Sequence, residues 1–236
     1  AAVEKEVSKN GETSLKDIMY IKNLLSLPLE QQQEAKDKLK ATGIAQPAIS
    51  LANLLWFKRL KEVGIYPTVT AGHSLGELSA LYAAGTISSQ ELLELATHRG
   101  EFMAATKETG SMAFIGASKS ETESILEGLN YYVDIANVNS PSQTIVSGSV
   151  AGVNEAMEIA QEKGYSAKLL PVSNAFHSKL MEEAAQSFSE RVDEQHQICN
   201  SIPFYSGING KELKNGMSLK NYLAEQITSP VDFVNT

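Results

Sequence analysis

The stretch Gly64-Ile65-Tyr66-Pro67-Thr68-Val69-Thr70-Ala71-Gly72-His73-Ser74-Leu75-Gly76-Glu77-Leu78-Ser79-Ala80-Leu81-Tyr82-Ala83-Ala84 decides how this chain is read. Residues 64–71 carry the β-branched and aromatic content of a strand, and residues 77–84 have the apolar spacing of a helix. Between them lies Gly72-His73-Ser74-Leu75-Gly76, a Gly-x-Ser-x-Gly turn. That pattern recurs by chance in roughly one chain in ten of this length, so the flanks carry the weight. A sharp strand-to-helix turn would hold the Ser74 hydroxyl proud of a sheet, and glycines on both sides would let the backbone crowd. Helix entry just after the serine would also turn free N–H groups toward a developing negative charge. The alternative is a glycine-rich turn whose serine only caps the helix.

The chain has 236 residues, 42% of them hydrophobic and 20% charged, enough to bury a substantial core. A net charge of -8 argues against a nucleic-acid footprint, which would show clustered Lys and Arg. Cys199 is the single cysteine, so neither an internal disulfide nor a cysteine-based metal site is available. A reducing compartment, the cytoplasm, is the expected location. No stretch has the apolar length of a membrane span, and Ala1-Ala2-Val3-Glu4-Lys5 lacks a signal-peptide core.

Outward from the turn, periodicity predicts a helix over about Ser14 to Leu39 and another from Gln46 to Val63. In the second, Leu51, Leu54, Leu55 and Leu60 are the expected core stripe, joined by Trp56 and Phe57. Ser88-Ser89-Gln90-Glu91 reads as an N-cap with a first-turn acid, opening a helix to about Ala105. The period then changes. Residues 111–173 read as strand (Met112–Gly116), helix (Lys119–Leu129), strand (Tyr132–Asn137), strand (Gln143–Ser147), helix (Val150–Lys163) and strand (Ser166–Val172). That βαββαβ order is the signature of a ferredoxin-like subdomain. The end of the chain reads as a helix from Ser178 to Glu194, a strand around Ile202 to Gly207 and a helix from Leu219 to Ile227. The expected fold class is α/β: a large α/β-hydrolase-like subdomain with a parallel sheet over 1–110 and 174–236, plus the ferredoxin-like subdomain over 111–173.

A serine hydroxyl at its ordinary pKa needs a base, usually histidine. Four are present. His73 sits in the turn, with its side chain expected to point away from Ser74. His98 is mid-helix, and His196 lies in a polar run where exposure is expected. His177 follows a strand and a short loop and precedes a helix, where rigid folds place reactive groups. It is the candidate base, against a helix-capping or core histidine. Arg99, in a largely apolar helix, either pairs with Glu94 or Glu101, or offers a fork of donors for a substrate carboxylate.

Five ordered motifs then converge: Gly72-His73-Ser74-Leu75-Gly76-Glu77, His98-Arg99-Gly100-Glu101-Phe102-Met103, Asn137-Val138-Asn139-Ser140-Pro141-Ser142-Gln143, Asn174-Ala175-Phe176-His177-Ser178-Lys179-Leu180-Met181 and Ser229-Pro230-Val231. From about Gln46 onward the chain resembles the malonyl-CoA:acyl carrier protein transacylases and the acyltransferase domains of polyketide and fatty-acid synthases. The resemblance implies a ping-pong transfer. Ser74 would take malonyl from malonyl-CoA as an ester, and the phosphopantetheine thiol of an acyl carrier protein would remove it, with no permanently bound cofactor and no metal. It makes His177 the base and acid, Arg99 the holder of the free malonyl carboxylate and the Leu75 N–H an oxyanion donor. His73 and Asn139 join Arg99 and Phe176 as substrate-binding candidates. Phe176 would fill the space an α-methyl group needs. In the family a backbone carbonyl orients the histidine; the matching region is Val231-Asp232-Phe233, which makes Asp232 the candidate here. Asn174 stands where histidine is more usual.

The family's opening strand with its Gly-Gln-Gly loop, and its closing strand and helix, have no counterpart, so a piece of a longer polypeptide is expected. The implied partners are an acyl carrier protein and, in a megasynthase, neighbouring domains such as the ketosynthase. Two other readings stay open. A serine esterase or thioesterase of α/β-hydrolase type would run Ser74, Asp134, His177 along the chain, and a silent synthase domain would never acylate Ser74.

Overall fold

The computed structural model describes residues 23–106, 109–172 and 174–236, with Met19 and Ile21. The start of the first expected helix, including Leu15 and Ile18, lies outside the described residues. A 3-10 turn, Leu24–Ser26, precedes helix α1, Leu29–Lys40.

Helix α2, Thr42–Glu62, begins before the expected Gln46 and takes Pro47 into its interior. Proline has no N–H to donate, so the Gly43 carbonyl loses its helical partner there. The buried face runs through Gln46, Pro47, Ser50 and Leu54. Trp56 is 69% exposed, and Leu55 and Leu60 are also exposed, against the expected stripe. Trp56 lies about 200° around the helix from Leu54, so both cannot face one core.

Only Thr70–Ala71 of the expected strand 64–71 forms β1. It pairs in parallel with β6, Phe204–Tyr205, matching Thr70 with Phe204 and Ala71 with Tyr205. The turn then enters α3, Gly76–Ala84, and α4 follows over Ser89–Ala105. A capping box opens α4: the Glu91 N–H donates to Ser88 Oγ at 3.2 Å and the Ser88 N–H to Glu91 Oε2 at 2.7 Å. Leu81 and Leu92 from these helices pack with Met181, Phe188, Phe204 and Leu223 in the larger core.

Next come β2 (Ser111–Ile115), α5 (Lys119–Leu126), β3 (Val133–Ser140), β4 (Gln143–Gly148), α6 (Val150–Glu162) and β5 (Ala167–Leu169). The strands form one sheet in the order β5-β2-β4-β3, antiparallel throughout. Ala113, Ile115 and Val146 on one face meet Ile125, Val153, Ala156 and Ala160 of α5 and α6. A strand absent from the sequence reading, β7 (Val231–Asp232), joins the free edge of β3 in parallel, with Asn137 opposite Val231 and Val138 opposite Asp232. The architecture is therefore α/β with one parallel and one mixed sheet.

The expected helix 178–194 is a 3-10 turn, Lys179–Met181, followed by α7, Glu182–Ser189. It ends early in a tightened turn, the Arg191 N–H donating to the Phe188 carbonyl at 3.0 Å and the Val192 N–H to the Ser189 carbonyl at 3.1 Å. Asp193 Oδ1 then accepts from the Gln195 N–H at 2.9 Å in a local turn that competes with helix. The last helix is α8, Leu219–Thr228. No helix among the described residues is long and apolar enough to cross a membrane.

Candidate active site

Ser74 sits in the left-handed backbone region, with φ 52°. A non-glycine residue there costs about 1–2 kcal/mol, and the flanks over-determine it. Gly72 is sterically required, since a Cβ at that position would stand 2.3 Å from the Gly76 carbonyl carbon and the Glu77 nitrogen. Gly76 is not, because a Cβ there meets nothing within 4 Å. The helix entry also differs from the expectation of several free amides. Gly76 and Glu77 donate to the His73 and Ser74 carbonyls at 2.9 and 3.0 Å, whereas the Leu75 N–H has no hydrogen-bond partner among the described residues.

His177, 103 positions away in sequence, is brought to Ser74 with Nε2 2.7 Å from Oγ. It too has a left-handed backbone, φ 57°, and is 4% exposed. Its Nδ1 lies 2.9 Å from the Ser229 carbonyl oxygen. A carbonyl only accepts, so Nδ1 carries the proton and Nε2 presents a lone pair to the serine hydroxyl. Burial, reinforced by the charge of Arg99, holds the imidazole down at about 3, so it is neutral across the physiological range.

The orienting oxygen therefore belongs to Ser229, not to Asp232. The Asp232 carboxylate accepts from Asn235 N and Nδ2 at 3.3 and 2.8 Å, and its N–H donates to the Gly207 carbonyl at 2.7 Å. The cause is β7: pairing with β3 fixes residues 231–232 in the sheet, and the carbonyl just before the strand, at the C-cap of α8, is the one left facing the histidine. Asp134 does not reach the histidine either; its Oδ1 accepts from the Ile135 N–H at 2.9 Å, which leaves the Ser–Asp–His order of an esterase without its acid.

Arg99 is 3% exposed. Its Nη1 donates to Gln46 Oε1 at 2.8 Å, and its Nη2 donates to Gln226 Oε1 at 3.1 Å and Ser74 Oγ at 3.2 Å. The two glutamine carbonyls hold the guanidinium plane beside the serine without neutralising it. Glu94 and Glu101, the alternative partners, bond instead to Gln90 and His98. Burial lowers the Arg99 pKa to about 10, against the opposing charge of Glu77, so the side chain stays cationic at neutral pH.

Gln46 reaches Arg99 because Gly100 lets α4 cross close to the start of α2. A Cβ on Gly100 would stand 2.8 Å from the Thr42 carbonyl oxygen and 3.0 Å from Gly43 Cα, a separation only glycine allows. His73 turns from Ser74 to Asn139, with Nε2 2.8 Å from Oδ1, and its ring packs edge-on against Phe233 with centroids 5.2 Å apart. Phe176, beside His177, is half-buried against the larger core and a smaller cluster of Met112, Ala136 and Ile145. His98 stays apart, and His196 is half-buried rather than exposed, with Nε2 3.0 Å from the Thr86 carbonyl.

Three contributors escaped the sequence reading: Gln46, Gln226 and the Ser229 carbonyl. The two glutamines did leave a signal. Each is a polar residue on the buried stripe of its helix, Gln46 before Pro47 and Ala48, Gln226 between Leu223 and Ile227.

A serine on a strand-turn-helix elbow, hydrogen-bonded to a neutral histidine and flanked by a buried cation, defines the class of site. The model of the acyl transferase domain matches residues 3–236, and the chain belongs to that family. It is 38% identical over 205 residues to a malonyl CoA-acyl carrier protein transacylase of Bacillus subtilis (strain 168), covering 84% of this chain and 64% of that protein. The chain thus spans less than two thirds of that relative's length. Among solved structures it resembles the malonyl CoA-acyl carrier protein transacylase from Clostridium perfringens, with TM-score 0.81 and 27% identity over 99% of this chain and 73% of that one. It also resembles the acyltransferase domain from the second module of the salinomycin polyketide synthase, with TM-score 0.80 and 30% identity over 99% of this chain and 52% of that one.

Proposed function

We propose that the chain loads malonyl from malonyl-CoA onto an acyl carrier protein through a Ser74 ester. The observation that carries this reading is Arg99, a buried cation 3.2 Å from Ser74 Oγ whose hydrogen-bond partners are all neutral. A cation so placed favours an acyl group with a free carboxylate, bound bidentately. His177 Nε2 takes the hydroxyl proton as Oγ attacks the thioester carbonyl. The Leu75 N–H stabilises the oxyanion. The C–S bond then breaks and the imidazolium returns its proton to the departing thiolate. The carrier's phosphopantetheine thiol reverses these steps, with its proton again passing to His177. Serine, histidine and arginine supply nucleophile, base and charge, so no permanent cofactor is needed.

Phe176 limits space at the α-carbon of the acyl group, and His73 with Asn139 lines the approach. The division we assign is a large α/β-hydrolase-like subdomain, 1–110 and 174–236, and a ferredoxin-like subdomain, 111–173; the antiparallel order β5-β2-β4-β3 supports the second name. The setting we assign is cytoplasmic, with an acyl carrier protein and neighbouring synthase domains such as a ketosynthase as partners. Intact-protein mass after mixing with malonyl-CoA, acetyl-CoA or methylmalonyl-CoA tests the reading. A malonyl adduct absent from Ser74→Ala is expected; no adduct with any thioester refutes it.

A further inference from the structure

Besides His177 and Arg99, the site contains a buried ionisable group that the acyl-transfer steps do not use. Glu77, in the first turn of α3, is 1% exposed. Its Oε1 accepts from the Gly207 N–H and, at 2.9 Å, from the Tyr222 hydroxyl. Its Oε2 has no partner among the described residues. A buried carboxyl half-satisfied in this way calls for a nearby positive charge. Arg99 has the complementary need, a buried cation gripped among the described residues by the neutral Gln46, Gln226 and Ser74.

One face of α8 holds both. Tyr222 grips Glu77 and Gln226 grips Arg99, and side chains four apart on a helix are neighbours, roughly 5–6 Å between Cβ atoms. At the elbow the same two residues converge on Ser74: the Glu77 N–H donates to its carbonyl at 3.0 Å and Arg99 Nη2 to its hydroxyl at 3.2 Å.

We propose that Glu77 is the counter-charge of Arg99 and sets how strongly Arg99 selects a carboxylate-bearing acyl group over a neutral one. The inference rests on the transferase reading of the site. An ionised Glu77 offsets the charge of the guanidinium through space and repels a second anion, whereas a neutral Glu77 leaves the incoming carboxylate as the counter-charge. Arriving malonyl therefore drives a proton onto Glu77. The groups facing Glu77 are Arg99 from α4, Tyr222 from α8, and the Gly207 amide beyond β6, with Ser206 Oγ 2.8 Å from the Tyr222 hydroxyl. Burial raises the Glu77 carboxyl to about 7, against the Gly207 and Tyr222 donors and the charge of Arg99, so the exchange falls across neutrality. Burial and Glu77 together push Tyr222 up, which keeps it a donor throughout.

The test is the ratio of malonyl to acetyl adduct formed from an equimolar mixture of the two coenzyme A thioesters. Both donors use the same serine and histidine, so His177 titration and the folded fraction cancel in the ratio. Between about pH 5.5 and about pH 8.5 the ratio for the unaltered protein is expected to fall, about tenfold if the two anions interact by one pKa unit. Glu77→Gln keeps an oxygen acceptor without the charge and gives a flat ratio no lower than the low-pH value. Tyr222→Phe removes a donor that favours the carboxylate and moves the midpoint to higher pH. A ratio constant with pH in the unaltered protein overturns the proposal, even if Glu77→Gln fails to fold, as does a Glu77→Gln protein that keeps the slope. Absence of any adduct at every pH is the separate failure of the transferase reading, and the proposal falls with it.

Discussion

Gly100→Ala sets two effects of opposite sign against each other. In a helix interior the change is worth about 1 kcal/mol in favour of alanine by propensity alone. The new Cβ, however, would stand 2.8 Å from the Thr42 carbonyl oxygen, 3.0 Å from Gly43 Cα and 3.4 Å from Gln46 Cβ. Two of these neighbours are backbone and cannot rotate away, so α2 must retreat by roughly 0.5 Å to restore ordinary C···O contact. Overpacking of this kind costs about 1–3 kcal/mol. The retreat also draws Gln46 from Arg99, stretching a charged hydrogen bond of 2.8 Å that is worth about 1.5–3 kcal/mol when intact. The clash and the stretched bond outweigh propensity, and a net loss of about 1–3 kcal/mol is expected in urea unfolding, with a lower malonyl-to-acetyl adduct ratio. A protein about 1 kcal/mol more stable than the parent, with its ratio unchanged, would refute the close crossing and the role given to Gln46.

Arg99→Lys keeps the charge but loses the fork that spans Gln46, Gln226 and Ser74, so malonyl adduct should drop by about tenfold or more while acetyl adduct does not; equal losses of both would speak against carboxylate selection. Gly72→Ala forces a Cβ to 2.3 Å from the Gly76 carbonyl carbon, and a loss of about 3 kcal/mol or failure to fold is expected by circular dichroism; a folded protein of parental stability would contradict the elbow geometry. Proton linkage sets the pH dependence of stability. His177 is held down from 6.5 to about 3, so between those values the unfolded chain binds the extra proton and stability falls on acidification. Glu77 is held up from 4.5 to about 7, so there the native state binds the extra proton and stability falls as pH rises. The two cancel from about 4.5 to about 6.5, and below that the His177 effect remains, about 1.4 kcal/mol per pH unit. The stability difference between the parent and His177→Gln isolates it and should shrink from about pH 6.5 downward; a difference independent of pH would show that the imidazole is not buried neutral.

Features that depend on near neighbours along the chain are legible in the amino-acid sequence alone. The helix over residues 89–105 with its Ser88 cap, the βαββαβ order of residues 111–169 and the turn around Ser74 all follow from spacing and capping chemistry within a few residues. Ser74, His177 and Arg99 are legible one at a time, as a turn serine, a loop histidine after a strand and an arginine on an apolar helix. Their partners are set by tertiary packing, because each partner arrives from a remote element. Gln46 depends on Gly100 letting α2 and α4 meet, and Gln226 on the packing of α8. The histidine's orienting oxygen comes from Ser229 rather than Asp232 through β7, a two-residue strand that pairs with the remote edge of β3. Trp56, a core residue by composition, stays exposed because burial depends on what lies opposite a helix face, and periodicity along one segment carries no information about that.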